Sequence, residues 1–151
     1  MRLRALLVLA LTAGCGAEAA PWTPAELDAL AERYVAAWSS GEPEQVAAFF
    51  AADGKLIIND AEPRVGRAEI TAAARGYMAA FPDLRMTLDA LDGAGRDVRL
   101  RWTFTGTNTG PAGTGNFVHV LGHEEWRLGD DGLIAVSDAT FRRGSDPVPP
   151  R

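Results

Sequence analysis

Apolar residues return at Leu27, Leu30, Ala31, Tyr34, Val35 and Trp38, the spacing of one face of an α-helix. Thr23 stands as its N-cap, Pro24 takes the first helical position and Glu26 completes a capping box. Ser39-Ser40-Gly41 ends the helix. Pro43 begins a second, shorter one, anchored by Val46, Ala47, Phe49 and Phe50. Asp53-Gly54 turns the chain into a short strand, Lys55–Asp60, and Pro63 and Gly66 break the loop that follows. A third helix is predicted from Arg67 to Ala80, with Ile70, Ala73, Ala74, Tyr77 and Met78 on its inner face and Gly76 as a weak point. Beyond Phe81-Pro82-Asp83-Leu84 the period changes. Leu84, Met86, Leu88 and Ala90 alternate with Arg85, Thr87 and Asp89, the pattern of a half-buried strand. Gly93-Ala94-Gly95 makes a turn. Three further strands complete the chain, Val98–Thr107, Phe117–Leu128 and Leu133–Phe141, separated by the glycine loop Thr109–Gly115 and by Gly129-Asp130-Asp131-Gly132.

The order helix, helix, strand, helix, then four strands on short turns implies an α+β domain. Consecutive hairpins give a curved, mostly antiparallel sheet, and the helices cover one face. A bent sheet closed by helices is a cone with an apolar interior. At 151 residues with 47% apolar content the chain is one domain with a real core. Four Trp and six Phe supply material to line a cavity.

Charge and the N-terminus change the picture further. The net charge is -5, and it becomes more negative once Arg2 and Arg4 leave with a leader. No basic stripe is present, which argues against nucleic acid as a partner. Met1-Arg2-Leu3-Arg4 is a short positive segment, and Ala5–Leu11 is an apolar stretch too short to span a bilayer. Leu11-Thr12-Ala13-Gly14-Cys15 resembles a bacterial lipobox, which implies cleavage before Cys15, lipidation of its thiol and acylation of the new amino group. Several acyl chains anchor a domain where one would hold it only marginally. The alternative is an ordinary secretory leader cut after Ala17-Glu18-Ala19. These two, and a leader left uncleaved, all place the domain outside the cytoplasm, either membrane-anchored or soluble in the periplasm or medium. The expected layout is a signal peptide over 1–14, a tether over 15–22, the domain over 23–141 and an irregular proline-containing tail over 142–151. Cys15 is the only cysteine, so the domain stands without an internal disulfide.

Alternation assigns faces to the late strands. Val98, Leu100, Trp102 and Phe104 form an apolar, concave face, and Arg99, Arg101, Thr103 and Thr105 the opposite one. Val118, Val120, Gly122, Glu124, Trp126 and Leu128 share a face in the next strand, with His119, Leu121, His123, Glu125 and Arg127 opposite. In the last strand Ile134, Val136, Asp138 and Thr140 share a face, and Leu133, Ala135, Ser137 and Phe141 fall on the other. A bulge near Gly122 would exchange some of these assignments. Two carboxylates, Glu124 and Asp138, therefore fall on apolar faces. Lost hydration raises the pKa of such a group and suits it to exchange a proton with an enolisable substrate. Proton transfer next to a carbonyl, aldol cyclisation, dehydration and epoxide opening fit, and none requires a cofactor. Asn59 could orient a substrate oxygen or simply shape a turn. Tyr34, Trp38, Trp102, Phe104 and Trp126 would make the pocket wall. His119 and His123 are on one face but about 13 Å apart at ordinary strand rise, too far for one metal ion, so no metal site is expected. The spacing of Gly110, Gly113 and Gly115 lacks the Lys-Ser/Thr and helix of a phosphate loop.

These residues resemble the SnoaL-like branch of the nuclear-transport-factor-2-like superfamily, with its cystatin-like cone. The resemblance rests on Trp38-Ser39-Ser40-Gly41, Val65-Gly66-Arg67, Phe81-Pro82-Asp83-Leu84, Trp102-Thr103-Phe104-Thr105-Gly106-Thr107, Glu125-Trp126 and Asp131-Gly132-Leu133-Ile134. It spans residues 23–141. It implies a conical pocket between the long helix and the concave sheet, and frequent homodimers through the outer sheet face. Relatives include polyketide cyclases, a dehydratase, a ketosteroid isomerase, an epoxide hydrolase and many binding domains, so the fold does not imply the function. The sequence departs from the family pattern where Phe141 is followed by Arg142 rather than an aspartate. A family-type C-terminal helix is also absent from the pattern. Three readings stand at this point. The first is a membrane-anchored domain binding a small apolar molecule that carries a polar group. The second is a cofactor-independent isomerase, cyclase or dehydratase using Asp138 or Glu124. The third is an interaction module with a packed cone that docks through Arg99, Arg101, His119, Glu125 and Arg127.

Overall fold

The structure, a computed structural model, describes residues 22–142. The leader, Cys15 and nearly all of the expected tail lie outside that range. The elements are α1 (Pro24–Trp38), α2 (Pro43–Ala47), β1 (Phe50–Ile58), β2 (Arg64–Val65), α3 (Gly66–Ala80), β3 (Arg85–Ala94), β4 (Asp97–Thr107), β5 (Phe117–Leu128) and β6 (Ile134–Phe141). One six-stranded sheet has the order β2-β1-β6-β5-β4-β3. All neighbours run antiparallel except β1 and β6.

Each helix forms for a local reason. At α1 the Thr23 hydroxyl accepts from the Glu26 N–H, and the Glu26 carboxylate accepts from the Thr23 N–H at 2.8 Å. This is the expected capping box. Leu27, Leu30, Ala31, Tyr34, Val35 and Trp38 are all buried, so the predicted stripe is the buried face. In α3 Ile70, Ala74 and Met78 are buried anchors. Besides Tyr77, the α3 positions that line open space are Ala72, Ala73, Gly76 and Ala80, all small. Small side chains on that face are why the cone stays hollow.

The strands depart from the expected pattern in four places. The second helix stops at Ala47, and Phe50 opens β1 instead of anchoring α2. Its backbone is claimed by other partners. The Phe49 carbonyl accepts from the Ile134 N–H at 2.8 Å, and the Phe50 carbonyl accepts from Arg67 Nε at 2.9 Å. Asp53-Gly54, expected as a turn, sits inside β1 where the register with β6 shifts. Gly54 lies against the Ile134 and Ala51 carbonyls with no room for a Cβ. In β3, Asp89 is passed over between the Leu88–Trp102 and Ala90–Arg101 pairs, and the strand runs on to Ala94, past the expected turn at Gly93. In β6, Leu128 pairs with Ile134 and Arg127 with Val136, leaving Ala135 as an unopposed bulge residue.

That last bulge corrects a face assignment. Beyond Ala135 the phase is reversed, so Ser137 and Ala139 are buried while Asp138 and Thr140 are exposed. The assignments for β4 and β5 hold: Val98, Leu100, Trp102, Phe104, Glu124, Trp126 and Leu128 are all buried. On the outer face, Arg99 pairs with Glu125 and Arg127 with Asp97. Such exposed pairs contribute little stability.

Candidate functional site

Glu124 is the only acidic side chain among the buried residues described, 2% exposed. It projects from β5 toward α1. Its Oε2 accepts three hydrogen bonds, from Tyr34 Oη at 3.0 Å, Trp126 Nε1 at 2.9 Å and Ser137 Oγ at 2.8 Å. Tyr34 comes from the buried face of α1, Trp126 lies two residues along the same strand face, and Ser137 arrives on β6 because of the Ala135 bulge. Edge-to-face contacts hold Tyr34 in place, with Trp126 at 4.9 Å and Phe49 at 5.6 Å between ring centroids. No described residue donates to Oε1.

Burial pushes the Glu124 carboxyl above its ordinary value, and the hydrogen bonds from Trp126, Ser137 and Tyr34 oppose that shift in part. Burial also raises the Tyr34 hydroxyl, and the neighbouring Glu124 charge adds to it. Tyr34 therefore remains a donor. When Glu124 is protonated, the proton belongs on Oε1, because Oε2 is already crowded by three donors.

Burial of Glu124 has a consequence for stability. From its ordinary 4.5 upward the folded protein binds this proton more tightly than the unfolded chain does. The contribution is fully present in acid and is lost as pH rises through the folded pKa. Urea titrations across that interval should show stability declining with pH in the native protein, and a Glu124→Gln variant should lose this slope. Asp83 acts in the opposite sense at lower pH. Hydrogen bonds from the Thr107 N–H and hydroxyl hold it below 3.8, so its contribution is lost as pH falls.

Beside Glu124 lies a cavity of about 1290 Å³, bounded by α3, the end of β1 and the concave faces of β4, β5 and β6. Trp38, Asn59, Trp102, Phe104 and Glu124 line it, as the sequence suggested. Tyr34 and Trp126 do not; they stand behind Glu124 as its donors. Asp138 is not in the cavity. It faces out beside Asp92, Arg99, Glu125 and Arg127 in a shallow depression, the reverse of its expected position, because the Ala135 bulge shifts the alternation. Tyr77, Phe81, Phe117 and Phe141 complete the aromatic wall. Ser137 was not a sequence candidate; its signal was hidden by the same shift. Asn59 has positive φ, 51°, as a turn residue does, yet its Oδ1 also accepts from the Phe141 N–H at 2.9 Å and ties β1 to β6 at the cavity mouth.

Two buried donors in the wall stand apart. Trp38 Nε1 and Trp102 Nε1 have no hydrogen-bond partner. The Trp38 indole neighbours the Tyr34 hydroxyl without meeting hydrogen-bond geometry. Trp102 lies over its cross-strand partner Gly122, where any Cβ would overlap the indole ring. Glycine at 122 is thus the seat for this ring.

Comparison with known proteins agrees with this geometry. Residues 31–137 match the family model described as SnoaL-like domain. Among solved structures, a protein from Jannaschia sp. CCS1 assigned as a SnoaL-like polyketide cyclase superposes with a TM-score of 0.65 at 17% identity, covering 80% of this chain and 89% of that one. A Catenulispora acidiphila protein with a ketosteroid isomerase-like fold, solved with trimethylamine, gives 0.66 at 19% identity and covers 79% and 88%. AclR from Streptomyces galilaeus, assigned as a hydroxylase, gives 0.68 at 26% identity and covers 83% of each chain. No curated protein matches the chain. The six-stranded, mostly antiparallel curved sheet with its helices is the nuclear-transport-factor-2-like cone.

Proposed function

This chain belongs to the SnoaL-like domain family, and from that premise we propose that it is an extracytoplasmic domain, anchored to a membrane through Cys15, whose cone binds a small apolar molecule carrying a polar group. The observation that carries the binding reading is the cavity of about 1290 Å³ walled by aromatic side chains, with one carboxyl, the only buried one among the described residues, at its inner end. Few polar groups in an apolar concavity is the general character of small-molecule sites. What supports the anchor is the lipobox-like Leu11-Thr12-Ala13-Gly14-Cys15. The packed cone of an interaction module would leave no such space.

A second reading has its own observation. Glu124 Oε2 is held by three donors, so Oε1 is the oxygen left for a ligand. As a carboxylate it can take a proton from carbon next to a carbonyl, leaving an enolate and a neutral carboxyl. Returning that proton to another carbon completes an isomerisation, and attack of the enolate on a second carbonyl, with the carboxyl giving its proton to the resulting alkoxide, completes an aldol cyclisation. Asp138 has no part in this scheme, since it lies on the other face of the sheet.

Gly76 supplies the test. A Cβ there meets nothing within 4 Å, and replacing glycine inside a helix gains roughly 0.5–1 kcal/mol. Gly76→Leu is expected to fold at least as stably as the native chain while its side chain narrows the cavity beside α3. The native chain, purified gently from its own host, should carry a small molecule by native mass spectrometry, and Gly76→Leu should lose it. Native protein without a bound species, together with no response to Gly76→Leu in a ligand screen, would count against a binding cone. Fractionation of cells expressing Cys15→Ser tests the anchor, because the variant should leave the membrane.

A further inference from the structure

The inner cavity carries an acid and no base. Every Lys and Arg among the described residues is exposed, and the one that lines the cavity, Arg64, stands with Glu62 at the rim. Glu124 is nevertheless buried, and its three donors, Tyr34, Trp126 and Ser137, are all neutral. A carboxylate taken out of water is stabilised by hydrogen bonds, but the larger compensation comes from a positive partner. The chain supplies the neutral donors and leaves out the cation. The free oxygen is placed to meet one. All three donors converge on Oε2. Oε1 accepts from no described residue, yet it is not sealed into the core as the Trp38 and Trp102 indole N–H groups are; it opens on the cavity that Glu124 lines. Trp38, Tyr77, Phe81, Trp102, Phe104 and Phe141 bring aromatic rings to the same wall, and aromatic rings attract cations most where water is excluded.

We propose that the cone takes an apolar organic cation, a protonated or quaternary amine, with its positive nitrogen against Glu124 Oε1 and its body along the aromatic wall. This rests on the small-molecule reading of the cavity and narrows it to one charge class. An anionic ligand would add a second negative charge to a site without a cation, and a neutral one would leave Glu124 unmatched. A metal ion is a poor occupant, because no three His, Cys, Asp or Glu side chains converge among the described residues and one free oxygen is too few ligands. A cavity of about 1290 Å³ also has room for far more than a bare ammonium group. Burial favours the protonated carboxyl in the empty cone, and an entering cation displaces that proton. Tyr34 on α1 is the titratable group that faces this carboxyl, and burial holds it as a donor. The neighbouring strands β4 and β6 pair Leu100 and Ala139 with Glu124.

The test uses the full chain carrying Cys15→Ser, so that no acyl chain competes for the cavity. Two probes share one shape: benzyltrimethylammonium, and neopentylbenzene, in which carbon replaces the charged nitrogen. Tryptophan fluorescence titrations give both affinities. In mildly alkaline buffer the cation should bind about tenfold or more tightly than its isostere. Its affinity should fall as pH is lowered and Glu124 takes up its proton, because the quaternary nitrogen does not titrate. Glu124→Gln keeps an acceptor for the three donors and removes the charge. It should bring the cation to the affinity of the isostere or below and flatten the pH profile, while an unchanged isostere affinity reports that the cavity is intact. An isostere that binds as tightly as the cation, or a cation affinity that Glu124→Gln leaves in place, would overturn this inference and leave the small-molecule reading standing. Binding of neither probe would overturn the inference as well, and native protein that also carries no molecule from its host would overturn the reading beneath it.

Discussion

Glu124→Ala should cost about 3–5 kcal/mol of folding stability, and Glu124→Gln about 1 kcal/mol or less. Both variants remove the same charge, so the difference isolates the role of the acceptor. In the alanine variant the Tyr34 hydroxyl, the Trp126 indole and the Ser137 hydroxyl lose their common partner in a buried place. Each stranded donor is costly, and an entering water recovers only part of that. Glutamine keeps a carbonyl oxygen where Oε2 stands and turns its amide toward the cavity. Urea unfolding in the neutral range measures both. Similar losses for alanine and glutamine would mean that the three donors do not depend on this acceptor.

Phe50→Ala should be comparably severe, about 3–5 kcal/mol. The ring is fully buried and packs beside Tyr34, with ring centroids 6.3 Å apart. Its backbone joins the only parallel pair in the sheet, opposite Ile134. Truncation opens a void at the junction of α1, α3 and β6. It also loosens Tyr34, so the carboxyl behind it should titrate differently. Leu121, 65% exposed on the outer sheet face, gives the contrast. Leu121→Ala should change stability by no more than about 0.5 kcal/mol. A thermal or urea series on the two variants decides the matter; a mild Phe50→Ala would show that the junction repacks.

How legible all this was in the sequence follows from the period of each segment. The α1 stripe and its capping box are short-range signals, and they appear as read. Trp102, Phe104 and Glu124 fall on the concave face because β4 and β5 keep an unbroken period over a long run. Phe50 was misread because an apolar pair after a short helix fits a helix end and a strand start equally. What decided it was pairing with Ile134, more than eighty positions away. The hollow interior had a local cue, the Ala and Gly positions of α3, but small residues in a helix also signal close packing. Asp138 and Ser137 exchanged places because of one bulge residue, and no local property of Ala135 marks it as one. The unpartnered indoles could not be seen at all, since satisfaction of a donor is a property of three-dimensional surroundings.

The Ala135 bulge has a chemical consequence. Continued from the Leu128–Ile134 pair with perfect regularity, β6 would set Asp138 directly across from Glu124. Two carboxyls in one apolar site cannot both ionise, and such a dyad shares a proton. The extra residue replaces that dyad with a serine hydroxyl that donates to a single acid. Whether this domain holds one carboxyl or two at its inner end is therefore decided by counting along a strand, and a change of one residue in the length of the segment before Val136 would rewrite the acid–base character of the site with every side chain kept.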